Sequence, residues 1–124
     1  YEMVNAATTV MVMFESQSAL DAADEIAAIN GLDMVMIGTN DLLVELGLPA
    51  GAFDHPAIKD AYARTIDACA KYGKHVGIGG LASRPDLVAE FVKMGARYVS
   101  TGTDLTFLAA AAREKAAEVA KLEV

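Results

Sequence analysis

The sequence predicts an α/β fold of four parallel strand–helix units, which is half of a (β/α)8 barrel. Three observations carry this. Short apolar runs alternate four times with segments of helical period. The runs TTVMVMF (8–14) and MVMI (34–37) are continuously apolar, the pattern of strands buried on both faces in a parallel sheet. Glycines follow three of the runs, at Gly38, Gly79-Gly80 and Gly102, and others close the helices. Such alternation joins parallel strands by right-handed crossovers. A barrel of eight units typically needs about 250 residues, whereas this chain has 124. Four strands leave two open edges and an exposed apolar face. The chain is therefore expected either to belong to a longer polypeptide or to close against another copy.

The elements follow in order. Residues 1–7 read as the exit of an earlier element, and 8–14 as the first strand. Ser18, with Asp21 three residues on, is read as the cap of a helix that buries Leu20, Ala23 and Ala27 and reaches Asn30. Gly31 suits the left-handed position that closes it. The second strand spans Met34–Ile37, and a looser segment follows Asp41. Asp54 or His55 caps a helix with Pro56 in its first turn. That helix faces inward with Ile58, Tyr62, Thr65 and Cys69, and Gly73 stops it. The third strand is Lys74–Ile78. Ser83 is read as the cap of a helix carrying Leu87, Phe91 and Met94, ended by Gly95. Tyr98–Ser100 is the fourth strand. The last helix is predicted over Leu105–Lys121 with Leu108, Ala112 and Val119 inward, and Asp104 is read as its cap in preference to a site acid.

Composition narrows the function classes. The chain is 54% hydrophobic and 22% charged, hence globular. Its net charge of −7 and lack of a basic cluster argue against nucleic acid or an anionic membrane as partner. No apolar run approaches the roughly 18 residues that would span a bilayer. No secretory leader is read, and the single cysteine, Cys69, cannot form an internal disulfide. The expected location is the cytoplasm. The chain opens on Tyr1 and not on methionine, so its true start is expected upstream.

The chemistry concentrates between Val10 and Leu42. Glu15 and Asp41 each follow an apolar run, with a helix between. If the runs are neighbouring parallel strands, both carboxylates open at the same end of one sheet, where α/β proteins place ligands and metals. Two such acids suit a hard divalent cation that keeps positions open for substrate oxygens. Amides of Gly38, Thr39 and Asn40 could face a ligand carboxylate. The plainer reading makes Glu15 a loop acid and Asp41 the cap of a short helix over Leu42–Leu46. Gly79-Gly80 and Gly102-Thr103 resemble the glycines of a barrel phosphate site. His55 is read as a cap and His75 as a strand opener at the end away from Glu15, neither a good base. Cys69 is read as a core thiol, and the six methionines as core filling.

The stretches MFESQSALDAADEIAAINGLDMVMIGTNDL, GLP, HPAI, KHVGIGG and GARYVSTGTDLTFL resemble the carboxyl-terminal half of the 4-hydroxy-2-oxoheptanedioate aldolase family. These are class II, pyruvate-dependent aldolases of the phosphoenolpyruvate/pyruvate-type barrels. The resemblance implies that residues 1–124 form the second half of one TIM-barrel domain, completed by an amino-terminal half. It implies that Glu15 and Asp41 bind a divalent cation (magnesium, manganese or cobalt). Pyruvate would sit on the amides of Gly38, Thr39 and Asn40, beside Asp41. The activity implied is lyase chemistry, reversible cleavage of a 4-hydroxy-2-oxo acid to pyruvate and an aldehyde, in a family associated with aromatic-compound catabolism. Its catalytic histidine and arginine have no counterpart here, so this chain alone is expected to be inactive. Met13 stands where some members have glutamine, and Leu43 where serine is frequent. The resemblance further implies a homo-oligomer, often a hexamer built from dimers that exchange the last helix. Two rivals stand beside this reading: a citrate-lyase-β-like enzyme cleaving an acyl-CoA ester, and a catalytically inactive half-barrel assembly module.

Overall fold

The computed structural model describes residues 1–122. A short helix, α1 (Glu2–Ala7), precedes strand β1 (Met11–Phe14). Helices α2 (Gln17–Asp21) and α3 (Ala23–Ala27) lead to β2 (Met34–Gly38), which runs directly into α4 (Thr39–Glu45). Then come α5 (Pro56–Lys71), β3 (His75–Gly79), α6 (Pro85–Met94), β4 (Tyr98–Val99) and α7 (Asp104–Val119). The strands form one parallel sheet in the order β1-β2-β3-β4. Phe14 pairs with Ile37, Gly38 with Gly79, and Ile78 with Val99.

The core lies on one side of this sheet. Phe14, Val35, Ile37, Val76 and Ile78 point to it from the strands. Ile58, Ala61, Tyr62, Ala68 and Cys69 meet them from α5, and Leu87 and Phe91 from α6. The Tyr62 and Phe91 rings stack at 3.9 Å between centroids and 13° between planes. Each large side chain so buried contributes about 1.5–3 kcal/mol. Burial pushes the Cys69 thiol up to about 11, and Cys69 is a core residue as predicted.

Several expectations change in detail. The helix expected to run unbroken to Asn30 is two short pieces that meet at Ala22. Its cap is Ser16, whose Oγ accepts from the Ala19 amide at 3.2 Å, and not Ser18. Asp21 instead accepts from Gln17 and Arg64. Helix α6 starts without a side-chain cap, because Pro85 already holds the helical φ, and Arg84 forks between Asp54 and Asp86. His55 caps α5 through Nδ1. Thr103, with Thr106, caps α7, placing Asp104 in its first turn.

Two corrections concern burial. Leu108, Ala112 and Val119 are exposed, because α7 has no buried residue and rests on no core within this chain. Within this chain the methionines do not fill the core. None is buried, and those of β1 and β2 line the sheet face opposite the helices. For the same reason β1 is not buried on both faces: only Phe14 is.

Candidate active site

The site is built where β1 and β2 end. The register pairs Phe14 with Ile37, so the next residue along, Glu15, comes beside Gly38. Its side chain lies over the glycine: a Cβ on Gly38 would meet Glu15 Oε1 at 2.7 Å and Cγ at 2.8 Å. Only glycine leaves room for that carboxylate. Met13 Cε closes the same spot, 3.1 Å from that Cβ position.

Gly38 is also the N-cap of α4. The expected loop 38–41 is therefore the first turn of a helix, and Asp41 lies inside that turn instead of capping a helix at Leu42. No side chain caps α4, so its leading amides, from Thr39 and Asn40 onward, lack a protein acceptor of that kind. Leu43, where serine was anticipated in relatives, is fully in the core.

Thr39 is bonded to the neighbouring strand end, and Asn40 packs against it. Thr39 is buried, its Oγ1 2.7 Å from the Gly79 carbonyl oxygen and 2.9 Å from the Tyr62 hydroxyl. Burial pushes the Tyr62 phenol up to about 12. The Asn40 amide lies over Gly80, whose φ of +81° and lack of a Cβ admit it; a Cβ there would meet Asn40 Nδ2 at 2.6 Å. The sequence reading missed these two contacts. A tyrosine on an apolar helical stripe was the one clue, since a buried phenol needs a partner.

Glu15 and Asp41 are both exposed within this chain. Neither forms an ion pair or a side-chain hydrogen bond among the described residues. Among those residues no group of three or more histidine, cysteine, aspartate or glutamate side chains gathers. Two unpaired carboxylates at adjoining strand ends are an all-oxygen donor pair, which fits a hard divalent cation completed by water and substrate oxygens.

Beside Asn40 opens a hollow of ≈ 630 Å³, lined by Gly80, Ser83, Thr101, Gly102 and Thr103 among others. Of the residues read as a phosphate-site pattern, Gly80, Gly102 and Thr103 meet there, but no lysine or arginine lines the hollow. His75 opens β3, at the opposite end of the sheet from Glu15, and His55 is committed to its cap. Neither is placed as a base.

Comparison with known proteins sets this geometry in context. The family model described as HpcH/HpaI aldolase/citrate lyase matches residues 2–111. A 4-hydroxy-4-methyl-2-oxoglutarate aldolase of Chaetomium globosum is 32% identical over 119 residues, 95% of this chain and 44% of that protein. A 2-keto-3-deoxy-L-rhamnonate aldolase of Escherichia coli is 37% identical over 101 residues, 82% of this chain and 37% of that protein. A crystal structure of an HpcH/HpaI aldolase/citrate lyase family protein from Burkholderia cenocepacia superposes with a TM-score of 0.79 at 30% identity, covering 97% of this chain and 46% of the other. The chain thus spans less than half the length of these relatives. Its four parallel strands and their helices are half of the barrel.

Proposed function

The chain belongs to the HpcH/HpaI aldolase/citrate lyase family, and from that premise we propose that it is the metal-holding half of a divalent-metal-dependent aldolase. The reaction is reversible cleavage of a 4-hydroxy-2-oxo acid to pyruvate and an aldehyde. Two aldolases among the relatives support the reaction class. The observation that carries the reading is the position of Glu15 on Gly38, three residues ahead of Asp41, at the ends of adjacent parallel strands.

Glu15 and Asp41 would hold magnesium, manganese or cobalt. A bound cation supplies Lewis-acid stabilisation of the negative charge that develops on the keto oxygen of pyruvate. The chain's own residues orient the substrate. The first-turn amides at Thr39 and Asn40, with Gly38 ahead of them, point donors at the pyruvate carboxylate, which the positive end of a helix favours. The hollow beside Asn40 gives the aldehyde portion room at the same rim. Proton transfer and oxyanion stabilisation need a base and an arginine. With His55 and His75 placed elsewhere, both come from the amino-terminal half of the barrel, and this half alone is inactive.

The whole protein acts in the cytoplasm as a homo-oligomer, of the hexamer type built from dimers. The exposed α7 supports this, being a helix with no core of its own to rest on. No helix among the described residues is long and apolar enough to cross a membrane. A second reading, cleavage of an acyl-CoA ester, is favoured by the citrate lyases that share the family.

The test uses the full-length protein. Pyruvate release is measured during manganese or magnesium titration, for the wild type, Glu15→Ala and Asp41→Ala. Metal-stimulated release abolished by either substitution is the expected result. Release that survives both overturns the assignment, and cleavage seen only with CoA esters selects the second reading.

A further inference from the structure

We infer that Tyr62 is a positioning residue, holding the Asp41 turn in register with Glu15 through the hydroxyl of Thr39. The inference rests on the metal reading above and adds to it a residue remote from the rim.

The donor order is settled by chemistry. The Gly79 carbonyl can only accept, so the single Thr39 hydroxyl proton goes to it across 2.7 Å. The Tyr62 hydroxyl, 2.9 Å from Thr39 Oγ1, must then be the donor to Thr39. The result is a directed chain, Tyr62 to Thr39 to Gly79, running from the core of α5 through the start of α4 to the end of β3. Thr39 is thereby held between two closely packed neighbours, just ahead of Asp41. Gly38 carries the Glu15 side chain, Thr39 is bonded to Gly79 and Tyr62, Asn40 lies over Gly80, and Asp41 follows.

The arrangement is an unusual use of core space. Among the described residues the buried polar ones are Thr39 and Thr65. Thr65 bonds only to Ala61, one turn back in its own helix, whereas Thr39 bonds to groups 23 and 40 residues away. Burying hydroxyls that satisfy one another yields little net stability over apolar groups of the same shape. Hydrogen bonds are directional where hydrophobic contacts are not. A Phe–Val pair would fill much the same volume but, beyond the Gly38–Gly79 strand pairing, leave the first turn of α4 without a directional side-chain bond to β3. What Tyr62 and Thr39 supply is therefore a fixed position for the turn that bears Asp41.

The experiment measures Mn2+ affinity by the EPR signal of free ion, and methyl-proton exchange of pyruvate in D2O by NMR, in the full-length protein. Tyr62→Phe keeps the stack on Phe91 and deletes the donor. We expect about fivefold weaker Mn2+ binding, the worth of one neutral hydrogen bond, and a matching fall in kcat/KM at an unchanged far-UV spectrum. Thr39→Val is expected to weaken Mn2+ binding at least as much, and Thr39→Ser to restore it to within about twofold. Asp41→Ala serves as the control. If Asp41→Ala binds Mn2+ as the wild type does, the metal reading fails and this inference falls with it. If Asp41→Ala loses Mn2+ while Tyr62→Phe and Thr39→Val keep it within twofold, the positioning role alone is overturned. Weakened binding that Thr39→Ser fails to restore, or that appears only as the folded spectrum is lost, also overturns it.

Discussion

The two faces of the sheet are made of similar residues and end in different states. On the face under the helices, Val35, Ile37 and Ile78 are completely buried and Val76 nearly so. On the other face, Met13 is 46% exposed and Tyr98 43%, and Met36 beside them is only partly covered. Strand register places Met11 with Met34 and Met13 with Met36 on that side. Apolarity does not distinguish the two sets; the connections do. Right-handed crossovers put every helix of a parallel sheet of this order on one side. The other side is the interior of the barrel, left for further strands to close. The rim site stands where the two faces meet: Gly38 is buried under the Glu15 side chain, while Glu15 and Asp41 are exposed.

The largest expected effect tests the helix-covered face. In this 124-residue chain, Phe91→Ala should cost about 4 kcal/mol by urea denaturation, since it empties a fully buried ring position against Tyr62. Met13→Ala should cost under about 1 kcal/mol, because a half-exposed side chain loses little transfer energy. Equal losses would break the contrast between the faces.

Next come the rim acids. Glu15→Ala and Asp41→Ala should each lower kcat/KM of the full-length protein by about 100-fold or more, as loss of a charge-stabilising group does. Stability should stay within about 0.5 kcal/mol of the wild type, as for exposed positions generally. A large stability loss at unchanged activity would make these residues structural.

A smaller effect is expected at Gly80→Ala. The φ of +81° is unfavourable for a side chain by about 1–2 kcal/mol, and the new methyl would press on Asn40. Thermal denaturation reads the first effect, and pyruvate exchange kinetics the second. A Gly80→Ala protein as stable as the wild type would show that Asn40 and the loop relax freely.

The smallest effect is electrostatic. Arg84, paired with Asp86 and Asp54, holds the Asp86 carboxyl down at about 2. A carboxyl lowered on folding contributes stability above its unfolded value near 3.8, and the contribution is lost as pH falls from there through about 2. Arg84→Gln should therefore denature slightly earlier than the wild type at pH 7 and converge with it near pH 2. The group is exposed, so salt should shrink the difference. A gap that widens in acid would contradict the pairing.

The sequence by itself determined the alternation, the parallel sheet and the place of Glu15 and Asp41 at strand ends, because these follow from local period and chain connectivity. The inward residues of α5 were readable for the same reason: Ile58, Tyr62, Thr65 and Cys69 lie on one stripe of a single long helix. Short capping interactions were readable only in part, as the shift from Ser18 to Ser16 and from Asp104 to Thr103 shows, since neighbouring polar residues compete within one turn. Only the tertiary structure decided that the strand methionines face outward from the core, that α7 covers nothing in this chain, and that Tyr62 reaches Thr39. Each depends on which surfaces meet across 20 or more residues, and apolar content or spacing along the chain carries no record of that.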